Sequence, residues 1–357
     1  MSTPRVGAKA LGLTSLLVVL LWTGCGSGAS GTPVSNGSFL LSVDSAKQNL
    51  FIETIATNGS LSTKTTAATF LQPTKLLTLN DNIYTMNAGS NSVSQFSISA
   101  NGTLSVGMSA LTGTKPVQFA FDPTNKFLLV ANQSSNSLSI FSVASNGDLQ
   151  SINSAYPLTF SPSSMTFAGD LLYVASSTGI TGLRFDANTG SLTVLSNFSL
   201  AAANITYLLA DSSGTHLFAA DLATNTVIGL SIAPTTGIVT QLLATPTGTG
   251  PTIMTFDPAN KFLYVVSDVS NDVSVFNFNP DTGVLTAVSG SPFQTLLAGA
   301  NSIAFDSNDG FVFVGSASGD QVAVMQVNST SGVLTPVVKS PFAVPFAPAA
   351  LVVIRPT

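Results

Sequence analysis

Seven apolar runs recur along this chain at intervals of 43 to 49 residues, starting at Phe39, Asn82, Phe127, Leu171, His216, Phe262 and Phe311. Each run is followed by a polar loop, a second alternating stretch and a tight-turn dipeptide. The dipeptides are Asn58-Gly59, Asn101-Gly102, Asn146-Gly147, Thr189-Gly190, Thr236-Gly237, Thr282-Gly283 and Ser331-Gly332. Glycine at that place supplies the positive φ that a hairpin requires. After each turn comes a short strand-like segment such as Val284-Leu285-Thr286. A self-similar unit of this length is one supersecondary element that cannot bury its apolar surface alone and must stack on its neighbours.

The unit starting at Pro251, PTIMTFDPANKFLYVVSDVSNDVSVFNFNPDTGVLTAVSGSPF, resolves into four strands: TIMTF, FLYVV, DVSVFNF and VLTAV. Asp257-Pro258 marks the turn between the first two, and Asp122-Pro123 repeats it. The 3.6-residue periodicity of a helical solenoid is missing. Four short antiparallel strands per unit predict an all-β, seven-bladed β-propeller over residues 39–357. The first unit starts directly with its second strand at Phe39. The segment Pro348 to Ile354 matches the first strand of a unit, with Pro348 on Pro251 and Val353 on Phe256. The C-terminal strand is therefore expected to complete the first blade and remove its open edge.

Composition narrows the function classes. Charged residues make up 8% of the chain and hydrophobic ones 45%, the reverse of a disordered sequence. A net charge of −5 with no basic run leaves nothing to track a phosphate backbone, so no nucleic-acid partner is expected. One cysteine cannot build a disulfide framework, and one histidine cannot build a multi-histidine metal site. No metal and no cofactor are expected.

Residues 1–24 read as an export signal: Arg5 and Lys9 precede the uncharged run Ala10 to Leu21, too short to span a bilayer. Trp22-Thr23-Gly24-Cys25 resembles the bacterial lipobox, with Trp22 where leucine is usual. Cys25 is the candidate lipidation site, and more than one acyl chain there would give stable anchoring. Residues 25–38 then form a lipidated, Gly/Ser-rich tether. The expected location is the bacterial cell envelope, periplasmic or cell-surface. Gly26 fits the sorting pattern for the outer membrane rather than retention in the inner one.

On one propeller face the loops after the second strands carry Asn132, Asp221, Asp268, Asp272 and Asp320. The segments entering the first strands carry Lys75, Lys115, Ser163, Asn204, Thr252 and Asn301. Taken singly, such residues are ordinary turn residues. Taken together, Asn132, Asn204, Asp221, Thr252, Asp268, Asp272 and Asp320 outline a polar mouth for a neutral small molecule, a carbohydrate or a protein ligand. His216 opens a second strand on the opposite face and is expected to be structural. Glu53, the single glutamate, lies in a third strand and is expected to face outward. A structural role is expected for Arg184.

The unit from Pro251 resembles the lactonase-type seven-bladed propellers, which include 6-phosphogluconolactonases and muconate-lactonising cyclases. It is also similar to the YVTN-repeat surface proteins. The enzymes carry a motif of the form GPRHxxFxPxxKFxYVxNE, which aligns without gaps on Gly250 to Asp268. The resemblance places the family's Arg on Thr252, its His on Ile253 and its acid/base Glu on Asp268. A His-Pro-His segment falls near Asn204, an Asp-Leu-Gly segment on Asp221-Leu222-Ala223, and an Asn-Arg pair on Ser316-Ala317. Lactone hydrolysis needs a positioned base and stabilisation of the developing oxyanion. Asp268 and Asp221 are the remaining catalytic candidates. The expectation is a binding or scaffold lipoprotein that keeps the architecture without the chemistry. The alternatives are a divergent lactonase or 6-phosphogluconolactonase-type hydrolase, and a structural cell-surface repeat protein.

Overall fold

In a computed structural model the described residues are 35–200, 203–306 and 310–357. They form seven antiparallel sheets. The expected signal segment and Cys25 lie outside the described residues. No helix among the described residues is long and apolar enough to cross a membrane.

Six sheets take their four main strands in chain order. Their inner strands are Pro73–Leu79, Pro116–Phe121, Ser164–Ala168, Ile205–Ala210, Pro251–Phe256 and Ala300–Asp306. The seventh inner strand is Ala350–Ile354, which pairs antiparallel with Ser35–Asp44 in the register Phe39↔Ile354 to Val43↔Ala350. The expected closure is thus present, and it makes the first blade from both ends of the ring. Inner strands of neighbouring blades lie side by side around the whole circle. Beyond the pairing, the Ala347 N–H donates to Asp44 Oδ2 at 3.0 Å. The Thr357 N–H and hydroxyl donate to the Asp81 carboxylate of the second blade, at 3.1 and 2.9 Å.

Five of the second strands are buried along their whole length, as in Phe127–Asn132 and Phe262–Ser267. Blades stack face to face, so both faces of these strands meet apolar neighbours, and the sequence reads as an unbroken apolar run. The fourth strands form the rim and are mostly exposed, with a few half-buried positions. In the sixth and seventh blades the rim strand is interrupted. Leu285–Ala287 and Phe293–Gln294 both pair with Asp272–Phe278, and Leu334–Pro336 and Phe342–Ala343 both pair with Gln321–Val327. Each break ends in Ser-Pro, directly before the phenylalanine that resumes the strand. Proline cannot donate to the ladder. The preceding serine hydroxyl compensates by accepting from Val275 N–H or Val324 N–H, each at 2.8 Å.

One contact links each blade to the next. The residue that opens a second strand packs under the hairpin glycine of the following blade, as Phe127 does under Gly190 and His216 under Gly283. The relay returns to its start when Phe311 of the last blade reaches Gly59 of the first. All seven of these glycines have positive φ. Turn geometry and close approach therefore make the same demand on them. His216 is 6% exposed, its Nδ1 lies 3.0 Å from the Thr215 hydroxyl, and its ring meets Phe278 edge-on. This is a packing role, as expected. Arg184 is ion-paired with Asp170.

Glu53 corrects the sequence reading. It is 1% exposed rather than outward-facing. Its register position, opposite Leu40, is held by Phe96, Phe141, Leu183, Leu230, Phe276 and Met325 in the other blades. Both faces of a third strand are covered by neighbouring blades, so alternation does not mark an outward side. Oε1 has no hydrogen-bond partner, and burial pushes the carboxyl up to about 7, with a hydroxyl contact from Thr63 working against it.

Candidate functional site

Five inner strands share a local irregularity near their start. Register shifts fall at Pro73/Lys75, Pro116/Gln118, Ile205/Tyr207, Pro251/Ile253 and Ala300/Ser302. Such a bulge leaves one residue unpaired and re-aims the side chain that follows it. Lys75, Gln118, Tyr207, Ile253 and Ser302 therefore occupy one level of the ring. Ser164 and Ala350 hold the equivalent pairing positions in the remaining blades.

At this level lies a cavity of about 160 Å³ on the propeller axis. It is bordered by inner-strand residues of six blades, including Lys75, Leu77, Gln118, Tyr207, Leu209, Ile253, Met254 and Ala350. Lys75 is the only charged residue among those lining it. Its Nζ stands 5.5 Å from the centroid of the Tyr207 ring. Burial lowers the Lys75 ammonium from its ordinary value. Burial also raises the Tyr207 phenol, against a smaller opposing contact from the Gln118 amide. Both residues keep intermediate surface exposure, because they border the cavity while lying deep in the protein. The Ser164 hydroxyl is taken by the Leu208 N–H at 3.0 Å, and the buried Ser302 hydroxyl has no partner.

Of the residues placed by the sequence on the mouth face, Lys75 borders this cavity, whereas the seven that were expected to outline the mouth do not. Asn132 is fully buried and its amide donates to Ser137 and Ser139, at 3.3 and 3.1 Å. The Asp221 carboxylate accepts from the Asn204 N–H at 2.7 Å, the Ala223 N–H at 3.0 Å and the Thr224 hydroxyl at 2.7 Å. This brings Asn204 and Asp221 together as a loop clasp. Asn204 itself is exposed. The Thr252 hydroxyl donates to the Val266 carbonyl at 3.3 Å. Asp268 is half-buried, and its Oδ1 lies so near Gly250 that a Cβ there would meet it at 2.3 Å. Asp272 is buried with an unpartnered Oδ1, and burial raises it despite contacts from Ser270 and Ser267. Asp320 is exposed and stands 3.9 Å from Lys47.

The alignment positions Ser316 and Ala317 also have structural surroundings. The Ser316 hydroxyl donates to the Ala298 carbonyl and accepts from the Gly319 N–H. Among the described residues no three His, Cys, Asp or Glu side chains come close enough to share a metal ion. Gln118 and Tyr207 were not singled out by the sequence. Aligning the inner strands on their register would have found them, because they fall where Ile253 and Ala350 are apolar.

With the fold and the cavity in view, comparison with known proteins is informative. A sequence model of the family described as "Lactonase, 7-bladed beta-propeller" matches residues 54–167 and 221–337. This chain belongs to that lactonase-type seven-bladed β-propeller family. None of the curated proteins matches it by sequence. Among solved structures it is similar to the periplasmic gluconolactonase of Pseudomonas aeruginosa, at 16% identity and a TM-score of 0.76, over 89% of this chain and 99% of that one. It is similar to a protein from Lactobacillus plantarum at 19% identity and a TM-score of 0.76, over 89% and 99%. A candidate 6-phosphogluconolactonase from Bacteroides fragilis superposes at 18% identity and a TM-score of 0.76, over 89% and 98%. At these identities the likeness is one of fold.

Proposed function

We propose that this protein is an extracytoplasmic, lipid-anchored propeller acting as a binding or scaffold module, with the lactone chemistry of its family lost. One observation carries the reading. Of the positions aligned with the family's charged and titrating groups, Thr252, Ile253, Ser316 and Ala317 cannot supply a proton or a cation at neutral pH, and Asp268 stands without them. The hydroxyls of Thr252 and Ser316 are already bonded to backbone carbonyls. Asp221, the other acid candidate, has both carboxylate oxygens engaged in its loop. The export signal and Cys25 support an extracytoplasmic place, as does the likeness to a periplasmic protein.

The test is hydrolysis of 6-phosphogluconolactone and a panel of simple lactones, with Asp268→Ala alongside. The expected result is no turnover above the spontaneous rate. Turnover that Asp268→Ala removes would replace this reading with a divergent lactonase, which the likeness to named gluconolactonases favours as the second choice. Anchoring is tested by metabolic labelling with a radioactive fatty acid in a bacterial host. Label and membrane association are expected for the native chain and lost in Cys25→Ser.

A further inference from the structure

The axial cavity contains a positive charge that no group among the described residues balances. Lys47 and Arg184 both reach carboxylates. Lys75 Nζ has neither an ion pair nor a hydrogen bond among the described residues, and its one close partner is the Tyr207 ring. A buried ammonium without a counter-charge is costly, and desolvation shifts such a group toward its neutral form. Replacing it with an apolar residue would remove that cost, so its presence calls for a partner from outside the chain.

The surroundings define that partner. Lys75 supplies one positive charge, and Tyr207 and Gln118 supply hydrogen-bonding groups at the same level of the ring. Leu77, Leu209 and Ile253 make the remaining walls apolar. A few convergent polar groups in an apolar recess is the usual make-up of a small-molecule site. One cation without a guanidinium matches a single negative charge better than the two of a phosphate. The apolar walls fit a short carbon chain, and 160 Å³ leaves room for a small organic anion.

We propose that the axial cavity binds a small monocarboxylate, its carboxylate on Lys75 and held in place by Tyr207 and Gln118. This rests on the binding-module reading and names a ligand class for it. It differs from the neutral ligand expected at the mouth.

The experiment is titration calorimetry of the full chain in mild detergent with lactate, pyruvate and butyrate, and with lactamide and inorganic phosphate as contrasts. At least one monocarboxylate is expected to bind with a Kd below about 1 mM, and lactamide and phosphate about tenfold more weakly. Lys75→Met is expected to weaken binding about tenfold or more, and Tyr207→Phe by a smaller factor. Lys75→Met should melt no lower than the native protein, since it removes an unpaired charge; Lys75→Gln serves if it does not fold. Absence of binding by every monocarboxylate, a preference for phosphate, or unchanged affinity in a folded Lys75 variant would overturn the proposal. Lactone turnover would instead overturn the non-catalytic reading and leave the site standing.

Discussion

The Tyr173 hydroxyl donates a 2.9 Å hydrogen bond to the carbonyl of Gly237, the hairpin glycine of the next blade. Tyr84 does the same to Gly147 at 2.8 Å. Tyr264 occupies the equivalent place in the sixth blade, yet its buried hydroxyl has no partner. Three chemically identical groups at one register position thus differ in a single bond. A satisfied hydrogen bond adds about 1 kcal/mol, whereas an unsatisfied buried hydroxyl is a liability. Tyr84→Phe and Tyr173→Phe should each lose about 1 kcal/mol by denaturant titration. Tyr264→Phe should be neutral or stabilising. Equal losses at all three positions would contradict the inter-blade tether.

Glu53 makes stability pH-dependent. Its folded carboxyl titrates at about 7, against an ordinary value of 4.5. Between those values the folded chain holds a proton that the unfolded chain gives up, so this group's stabilising contribution is full below pH 4.5. It is lost as pH rises to 7 and is flat above. The loss is roughly 3 kcal/mol. Burial raises Asp272 too, which acts in the same sense. Glu53→Gln, and more so Glu53→Leu, should be more stable than the native protein at pH 8, with the advantage shrinking toward pH 4. Unfolding free energies at the two pH values decide the matter. An advantage that is the same at both would mean that the carboxyl titrates alike in the folded and unfolded chains and that burial does not shift it.

Gly283 should not tolerate a side chain. A Cβ there would lie 2.4 Å from His216 Cδ2 and 2.6 Å from Leu242 Cδ1, on a backbone with φ of +71°. Gly283→Ala should destabilise by more than about 1 kcal/mol, the cost of the left-handed backbone alone. Adding His216→Ala should recover part of the loss, giving a coupling of about 0.5 kcal/mol or more in a double-mutant cycle. Strict additivity would show that the two residues do not press on one another.

Asp221→Ala should unfasten the loop that carries Asn204. Three hydrogen bonds end on this carboxylate, and losing hydrogen bonds to a charged group costs about 1.5 to 3 kcal/mol. Faster amide exchange at Asn204 and Ala223, with carboxylate binding in the axial cavity unchanged, is the expected pattern. A large loss of ligand affinity would return Asp221 to the binding site.

The ring was legible in the sequence because its strongest determinants are local. Second strands sandwiched between blades must be apolar throughout, and a hairpin glycine must follow each third strand. Pro348 to Ile354 could be placed in the first blade because it repeats the pattern of Pro251 to Phe256. The cavity was not legible. Lys75, Gln118 and Tyr207 come from three blades, and each resembles an ordinary polar residue until register puts them on one level. Asn132 and Asp221 were read as mouth residues from their loop positions, and composition could not show that the Asn132 amide N–H groups are taken by neighbouring serines and the Asp221 carboxylate by a threonine and backbone amides. Glu53 was misplaced because alternation implies an exposed face, which a strand between two blades lacks.

Closure of the first blade also fixes an order of events. Asp44 and Ala347, bonded across the seam, are 303 residues apart in the chain. Contacts of such separation form late, since the intervening polymer must be ordered before they are rewarded. Until residues 350–354 are available, the strand at Ser35–Asp44 waits with its inner edge bare. Native assembly is therefore completed only by the last strand, and its most vulnerable interval is the one in which six blades are made and the circle is still open.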